Sequence, residues 1–334
     1  MHRLCAPTLP RAHAIERPFC LRLGERADII PTGIAVVSGL SLGSGLALLD
    51  KFFVSRDGDG PGAAQIGGCT LVEKLAEGPM SAVFLATDPD GNQVVVKALS
   101  AHGNRIAEKL SVKLGKPWEG ERARSLNHPN VVRTLACGKE KGQYYIVMEY
   151  LPGGGFAEHL RIRTPEVIAR RLEILIGAAN GLAYLHEKGI IHRDVCPKNL
   201  MFDSSGNVRL IDFGVAIHKS DRLKQTEIRT GRSSYLAPEL IRYNRFNVQT
   251  DIYAFGVTLY ETFTGRRPFT ADTREELMNL HLRADPVPPS KMDHSLNSEV
   301  DRVALRALAK VPQQRYMTMR QVITALVGLR GSAM

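Results

Sequence analysis

Ile191-His192-Arg193-Asp194-Val195-Cys196-Pro197-Lys198-Asn199-Leu200 is followed, 18 residues after Asp194, by Asp212-Phe213-Gly214. Downstream stand Ala237-Pro238-Glu239, then Asp251-Ile252-Tyr253-Ala254-Phe255-Gly256, and finally Arg315. Any one of these short strings arises by chance; the ordered set does not. Upstream, Thr164-Pro165 is a cap-plus-proline helix start. Val167, Ile168, Leu172, Leu175, Ile176, Ala179, Leu182 and Leu185 then recur at helical spacing, and Gly189 stops the helix.

The stretch before this is rich in strands. Leu71-Val72-Glu73-Lys74-Leu75 alternates, a loop with Gly78 follows, and Ala82-Val83-Phe84-Leu85-Ala86 reads as a second strand. Asp88-Pro89-Asp90-Gly91-Asn92 is a hairpin turn signal, and Val94-Val95-Val96-Lys97 is a β-branched strand ending in a cation. Helical character runs from about Asn104 to Leu126. Tyr144 to Leu151 is a further strand, running into Pro152-Gly153-Gly154-Gly155.

Taken together, these segments resemble a protein kinase catalytic domain of the bacterial, eukaryotic-like Ser/Thr type. The resemblance implies an α+β, bilobal fold over residues 69–330. A small antiparallel-sheet lobe with one key helix fills about 69–147, a hinge about 148–154, and a larger helical lobe about 155–330. It also implies ATP and Mg²⁺ as cofactors, and transfer of the γ-phosphate to Ser or Thr of protein substrates, the chain itself included. Lys97 would contact the α- and β-phosphates, oriented by Glu119, with Glu121 as the neighbouring rival. The nucleotide would lie under a loop of Ala76, Gly78 and Ser81. Leu75, Val83, Val95 and Met201 would sandwich adenine, since a flat heterocycle needs apolar walls. Met148 would be the gatekeeper, and hinge backbone at Glu149 and Leu151 would bond the base. Asp194 would accept the proton of the attacking hydroxyl. Asn199 and Asp212 are hard oxygen ligands suited to Mg²⁺.

Three departures from the family pattern stand out. The family's G-x-G-x-x-G loop keeps only Gly78. The residue two after Asp194, a lysine in most Ser/Thr kinases, is Cys196; Lys198 is then expected to carry the positive charge to the γ-phosphate, the alternative being a solvent-facing lysine. After Gly231 most of these kinases have a threonine, and this chain has Arg232. Arg232 is read either as a second cation near the transferred phosphate or as a substrate contact. These departures motivate one alternative, a catalytically impaired pseudokinase acting as a nucleotide-binding or scaffold module. A small-molecule kinase is a third reading, which Ala237-Pro238-Glu239 and Arg315 disfavour.

The segment from Asp212 to Glu239 carries Thr226, Thr230, Ser233 and Ser234 as candidate phosphorylation sites, Thr230 being preferred, with Arg193 expected to meet the added phosphate. Lys219, Arg222, Lys224, Arg229 and Arg232 make the segment basic and point to acidic substrates.

The whole-chain statistics agree with a folded enzyme. The 334 residues are 44% hydrophobic and 23% charged, which excludes a disordered, collagenous or polytopic membrane chain. Five cysteines without a C-x-x-C pair argue against a disulfide scaffold or a cysteine-rich zinc module and for a reducing compartment. The net charge of +10 is scattered, and no basic run with interleaved aromatics points to nucleic acid. Residues 1–68 read as a poorly ordered extension, ending in the turn-rich linker Asp57-Gly58-Asp59-Gly60-Pro61-Gly62. Within it, residues 29–49 carry no charge but include four glycines and a proline, a marginal match to the roughly 20 apolar residues of a membrane helix. The expected location is cytoplasmic. A membrane anchor through 29–49, with the catalytic domain in the cytoplasm, is the alternative.

Overall fold

The computed structural model describes residues 64–113, 115, 117–219 and 232–331. The N-terminal lobe is a six-stranded antiparallel sheet in the order β1-β2-β3-β4-β6-β5. Its strands are β1 (Gln65–Ile66), β2 (Cys69–Glu77), β3 (Ser81–Thr87), β4 (Gln93–Leu99), β5 (Thr134–Glu140) and β6 (Gln143–Glu149). The period-2 pattern sorts the side chains. Ala82, Phe84 and Ala86 of β3 join Val94, Val96 and Ala98 of β4 in a buried core on one face. Val83, Val95 and Lys97 therefore share the other face, towards the helical lobe. The β3–β4 turn forms because the Asp88 carboxylate accepts hydrogen bonds from the backbone N–H of Asp90 and Asn92, at 3.0 and 2.8 Å. Gly91 supplies the positive φ, 86°, that this turn requires.

The expected single helix over 104–126 is instead two. Helix α1 (Ala101–Glu108) continues into a π-turn, Lys109–Lys113, and α2 (Glu119–Arg124) starts afresh. Gly115 at φ 59° and Pro117, which has no N–H to give, break the run. Trp118 restarts it. Its ring is 3% exposed and packs on Tyr144, centroids 4.8 Å apart. Its backbone N–H donates to Glu121 Oε2 at 3.3 Å. That bond commits Glu121 to its own helix end and leaves Glu119 to reach the sheet.

The C-terminal lobe holds α3 (Phe156–Ile162), α4 (Pro165–Ala169), α5 (Arg171–Glu187), α6 (Pro238–Tyr243), α7 (Val248–Thr264), α8 (Arg274–Arg283), α9 (Pro289–Met292), α10 (Ser298–Ala307) and α11 (Met319–Gly328). Helix α7 is buried from Thr250 to Tyr260, as a helix apolar nearly all round must be; α5, α9 and α10 pack against it, and α11 packs against α5. Two short hairpin strands, β8 (Leu200–Phe202) and β9 (Val208–Leu210), and the pair β7 (Ile190–Ile191) with β10 (Ile217–His218) lie between the lobes' helices and the sheet. They hold the two loops quoted at the outset. No helix among the described residues is long and apolar enough to cross a membrane, and residues 29–49 lie outside that set.

One buried histidine makes the fold acid-sensitive. His281 of α8 is fully buried; its Nδ1 is 2.9 Å from the Tyr253 hydroxyl, and its ring lies edge-on to Phe269. Burial, reinforced by the Lys310 and Arg267 charges, pushes its pKa from 6.5 down to about 4. The unfolded chain then binds a proton in a window where the folded chain does not, so stability falls as pH drops from 6.5 towards 4. Each pH unit in that window costs about 1.4 kcal/mol, about 3 kcal/mol in all. Equilibrium unfolding of wild type and His281→Gln across this range checks it. The wild type is expected to lose more stability than the variant by that amount; parallel curves would refute the assignment.

Candidate active site

Lys97, at the end of β4, reaches out of the sheet between two carboxylates. Its ammonium donates to Glu119 Oε1 at 2.7 Å and to Asp212 Oδ1 at 2.9 Å. Glu119 comes from the first turn of α2, and Asp212 from the loop after β9, so three distant stretches meet on one cation. Burial alone would lower the ammonium's pKa, but the Asp212 and Glu119 charges outweigh it and raise it, so Lys97 stays charged. The same ammonium holds Asp212 down to about 2. Burial pushes Glu119 up against the pull of Lys97. Asp212 sits at φ 64°, and the Gly214 N–H donates to its Oδ1 at 3.2 Å. Gly214 lies close against this cluster. A Cβ there would stand 3.2–3.4 Å from Asp212 Oδ1, Glu119 Oε2 and Lys97 Nζ. Phe213, 3% exposed, joins the core that contains Ala123 of α2 and lies edge-on to His192.

The catalytic-loop stretch is held from below by Asp251. This fully buried carboxylate accepts the backbone N–H groups of His192 and Arg193, each at 2.8 Å, and lies 2.8 Å from His186 Nε2. Burial would raise its pKa, but His186 and these donors hold it low. Their grip fixes Arg193 at φ 70°. Asn199, on the 3₁₀ turn Pro197–Asn199, donates to both the backbone carbonyl (2.7 Å) and Oδ2 (2.8 Å) of Asp194. Asp194 Oδ1 is buried with no hydrogen-bond partner among the described residues. A fixed carboxylate with one uncommitted oxygen is suited to receive a proton.

The side of the cleft where the resemblance puts adenine is built from β-strand register. Val95 pairs with Met148, and Met201 bridges to Gly155 under the hinge. Val83, Val95, Met148 and Met201 are half-buried, and Leu75 and Ala76 lie half-buried on β2. Glu149 donates its N–H to Arg133 at 3.0 Å. The N–H and C=O of Leu151 make no hydrogen bond with the described residues, which leaves a donor and an acceptor for a base edge. In the loop above, Gly78 donates its N–H to Ser81 at 2.9 Å, and the Ser100 hydroxyl donates to the Pro79 carbonyl at 2.7 Å. The loop that has lost two glycines is thus tied to the cap of α1.

The sequence-level departures are also placed. Cys196 is fully buried, and burial beside Asp194 pushes its thiol up to about 12, so it is neutral. The Lys198 side chain is exposed and makes no hydrogen bond or ion pair with the described residues. Arg232 Nε stands 3.8 Å from Asp194 Oδ2. The Arg193 guanidinium is 4% exposed and lies over the Phe246 ring at 4.8 Å. Thr226, Thr230, Arg222, Lys224 and Arg229 lie outside the described residues; Ser233 and Ser234 start a 3₁₀ turn, Ser233–Tyr235.

Some contributors were not singled out from sequence. His186 signals only by its place, six residues before His192 at the end of α5. Arg122 of α2 donates to the carbonyls of Ala216 and Pro117, clamping the helix to the loop after Gly214, and nothing local marks it.

Residues 69–326 match the protein kinase domain family, and the chain belongs to it. Among curated relatives, the serine/threonine-protein kinase PknB of Mycobacterium tuberculosis (strain ATCC 25618 / H37Rv) is 36% identical over 265 residues, covering 77% of this chain and 42% of the relative. The probable serine/threonine-protein kinase SCO3848 of Streptomyces coelicolor is 35% identical over 252 residues, 73% of this chain and 37% of its own. The tyrosine-protein kinase MasK of Myxococcus xanthus is 34% identical over 277 residues, 78% of this chain and 42% of its own. The matched part thus spans about two fifths of each relative's length.

Proposed function

We propose that this chain is an active protein kinase that transfers the γ-phosphate of ATP to Ser or Thr hydroxyls of proteins, itself included. The observation that carries the reading is the triad Lys97–Glu119–Asp212, a buried cation held ready for phosphate beside a carboxylate held ionised. In this reading residues 69–330 are the catalytic domain and 1–68 an extension. Leu75, Ala76, Gly78, Ser81, Val83, Val95, Met148, Glu149, Leu151 and Met201 hold the nucleotide. Asp212 and Asn199 offer a carboxylate and an amide oxygen, a donor set that fits Mg²⁺, which takes few protein ligands and completes its shell with phosphate and water. When bound there, Mg²⁺ supplies charge neutralisation between the phosphates. Asp194 Oδ1 orients the substrate hydroxyl and takes its proton. The basic residues from Lys219 to Arg229 favour acidic substrates.

Ser/Thr rather than Tyr follows two of the relatives named above, and MasK argues the other way. Incubating the purified chain with Mg-ATP and mapping its phosphorylated residues by mass spectrometry decides. Phosphate on Ser and Thr is expected. Phosphate confined to Tyr would overturn the specificity, and none at all, with ATP bound, would favour the pseudokinase.

A further inference from the structure

Phosphoryl transfer asks the protein for positive charge on both sides of the moving group, because the transition state spreads charge over three equatorial oxygens. On the nucleotide side Lys97 provides it. On the acceptor side, the position two after Asp194 is Cys196, a buried, neutral thiol, and the exposed Lys198 side chain makes no hydrogen bond or ion pair with the described residues. A cation does stand there, from a different part of the chain.

We propose that Arg232 is a catalytic residue, whose guanidinium contacts and neutralises the transferred phosphoryl group from the acceptor side. The inference rests on the kinase reading above. The geometry favours it in three ways. Arg232 Nε lies 3.8 Å from Asp194 Oδ2, within strong Coulomb reach but beyond hydrogen-bond distance, so its donors remain available. Its side chain is 41% exposed, so it can turn the short distance to an incoming phosphate. Its backbone is tied to the helical lobe. The Arg232 carbonyl accepts from Tyr235 N–H at 2.9 Å, and the Tyr235 hydroxyl donates to Glu261 of α7 at 2.6 Å. Arginine also suits the task, being always charged, with a planar fork of donors that matches phosphate oxygens.

The step balances without any further reactant. The substrate hydroxyl oxygen bonds to the γ-phosphorus, and the bond from that phosphorus to the bridging β-oxygen breaks. ADP leaves with the electron pair, and the hydroxyl proton passes to Asp194 Oδ1. Asn199 holds Oδ2 throughout, and Arg232 shifts its interaction from Asp194 to the phosphoryl oxygens as their charge develops. Arg232 lies near the end of the segment that precedes Ala237-Pro238-Glu239, so the acceptor-side cation is set by that segment's position and not by the catalytic loop.

The test compares calorimetric binding of Mg-ADP with that of Mg-ADP plus aluminium fluoride, a mimic of the phosphoryl group in flight. Wild type, Arg232→Gln and Arg232→Ala are used, each as the full chain with a matched melting temperature. The expected result is at least about 30-fold weaker binding of the fluoride complex to both variants, with Mg-ADP alone changed less than about threefold. In turnover, kcat falls about 10²–10³-fold, Arg232→Lys recovers part of it, and Lys198→Ala lowers it at least about tenfold less than Arg232→Ala does. Equal weakening of both nucleotide complexes, or none, would overturn the proposal. So would a change confined to KM for the protein substrate, which marks a substrate contact, or a Lys198→Ala loss as large as that of Arg232→Ala. If the wild type transfers no phosphate, the kinase reading fails, while the fluoride comparison still decides the place of Arg232.

Discussion

Asp194→Asn is expected to lower kcat about 10³-fold while leaving Mg-ATP affinity within about threefold. Asparagine keeps the shape of aspartate, and an oxygen can still accept the 2.8 Å bond from Asn199 Nδ2. What it loses is the charge and the free Oδ1, which is buried and without a partner among the described residues. The proposed nucleotide contacts lie on the far side of the cleft, at Lys97 and the hinge, so binding has no reason to change. Initial rates at saturating ATP and a calorimetric titration on the same preparation separate the two quantities. A loss shared equally by affinity and rate would mean that Asp194 supports the structure and does not handle the proton.

Arg315→Ala has the largest expected effect on stability, about 3–5 kcal/mol. Its guanidinium is 1% exposed, and every N–H it has is satisfied. Nη1 donates to Glu239 Oε1 and the Gln249 carbonyl, both at 2.8 Å. Nη2 donates to Glu239 Oε2 at 2.8 Å and the Lys310 carbonyl at 3.2 Å, and Nε to Ala309 at 2.7 Å. The plane also lies over the Tyr253 ring. Truncation leaves the Glu239 carboxylate buried, with the Thr250 hydroxyl as its one remaining side-chain donor among the described residues. Denaturant unfolding of both proteins measures the difference. A change under about 1 kcal/mol would mean that water replaces the guanidinium, and that the pair is an exposed contact in practice.

Much of the site is legible in the sequence because chemistry restricts residue type where charge must be placed. Lys97, Asp194, Asn199 and Asp212 each occupy a position where a substitute would have to be another cation, base or hard ligand. The strands of the small lobe around Lys97 are legible for a simpler reason, since β-branched and apolar runs bounded by the Asp88–Asn92 turn signal mark them, and the period of two then fixes which side chains share a face. The break in the first helical stretch was missed. The run from Asn104 to Leu126 reads as one helix, although Gly115 and Pro117 end it locally; what periodicity does not carry is the restart, which the non-local burial of Trp118 against Tyr144 fixes. The family resemblance favours Glu119 over Glu121 as the partner of Lys97, and the structure has the Glu119–Lys97 bond; the backbone bond that holds Glu121 at Trp118 is something no periodicity encodes. The approach of Arg232 to Asp194 is a tertiary fact across 38 residues.

Whether these residues form a working transfer site is decided by phosphate transfer itself. The most direct measurement is Mg²⁺-dependent transfer of radiolabelled γ-phosphate from ATP to protein, by the purified wild-type chain and by Asp212→Asn. Label on protein is predicted for wild type with Mg²⁺, and loss of it with EDTA or in the variant. Equal labelling with and without Mg²⁺, or by the variant, would contradict the account.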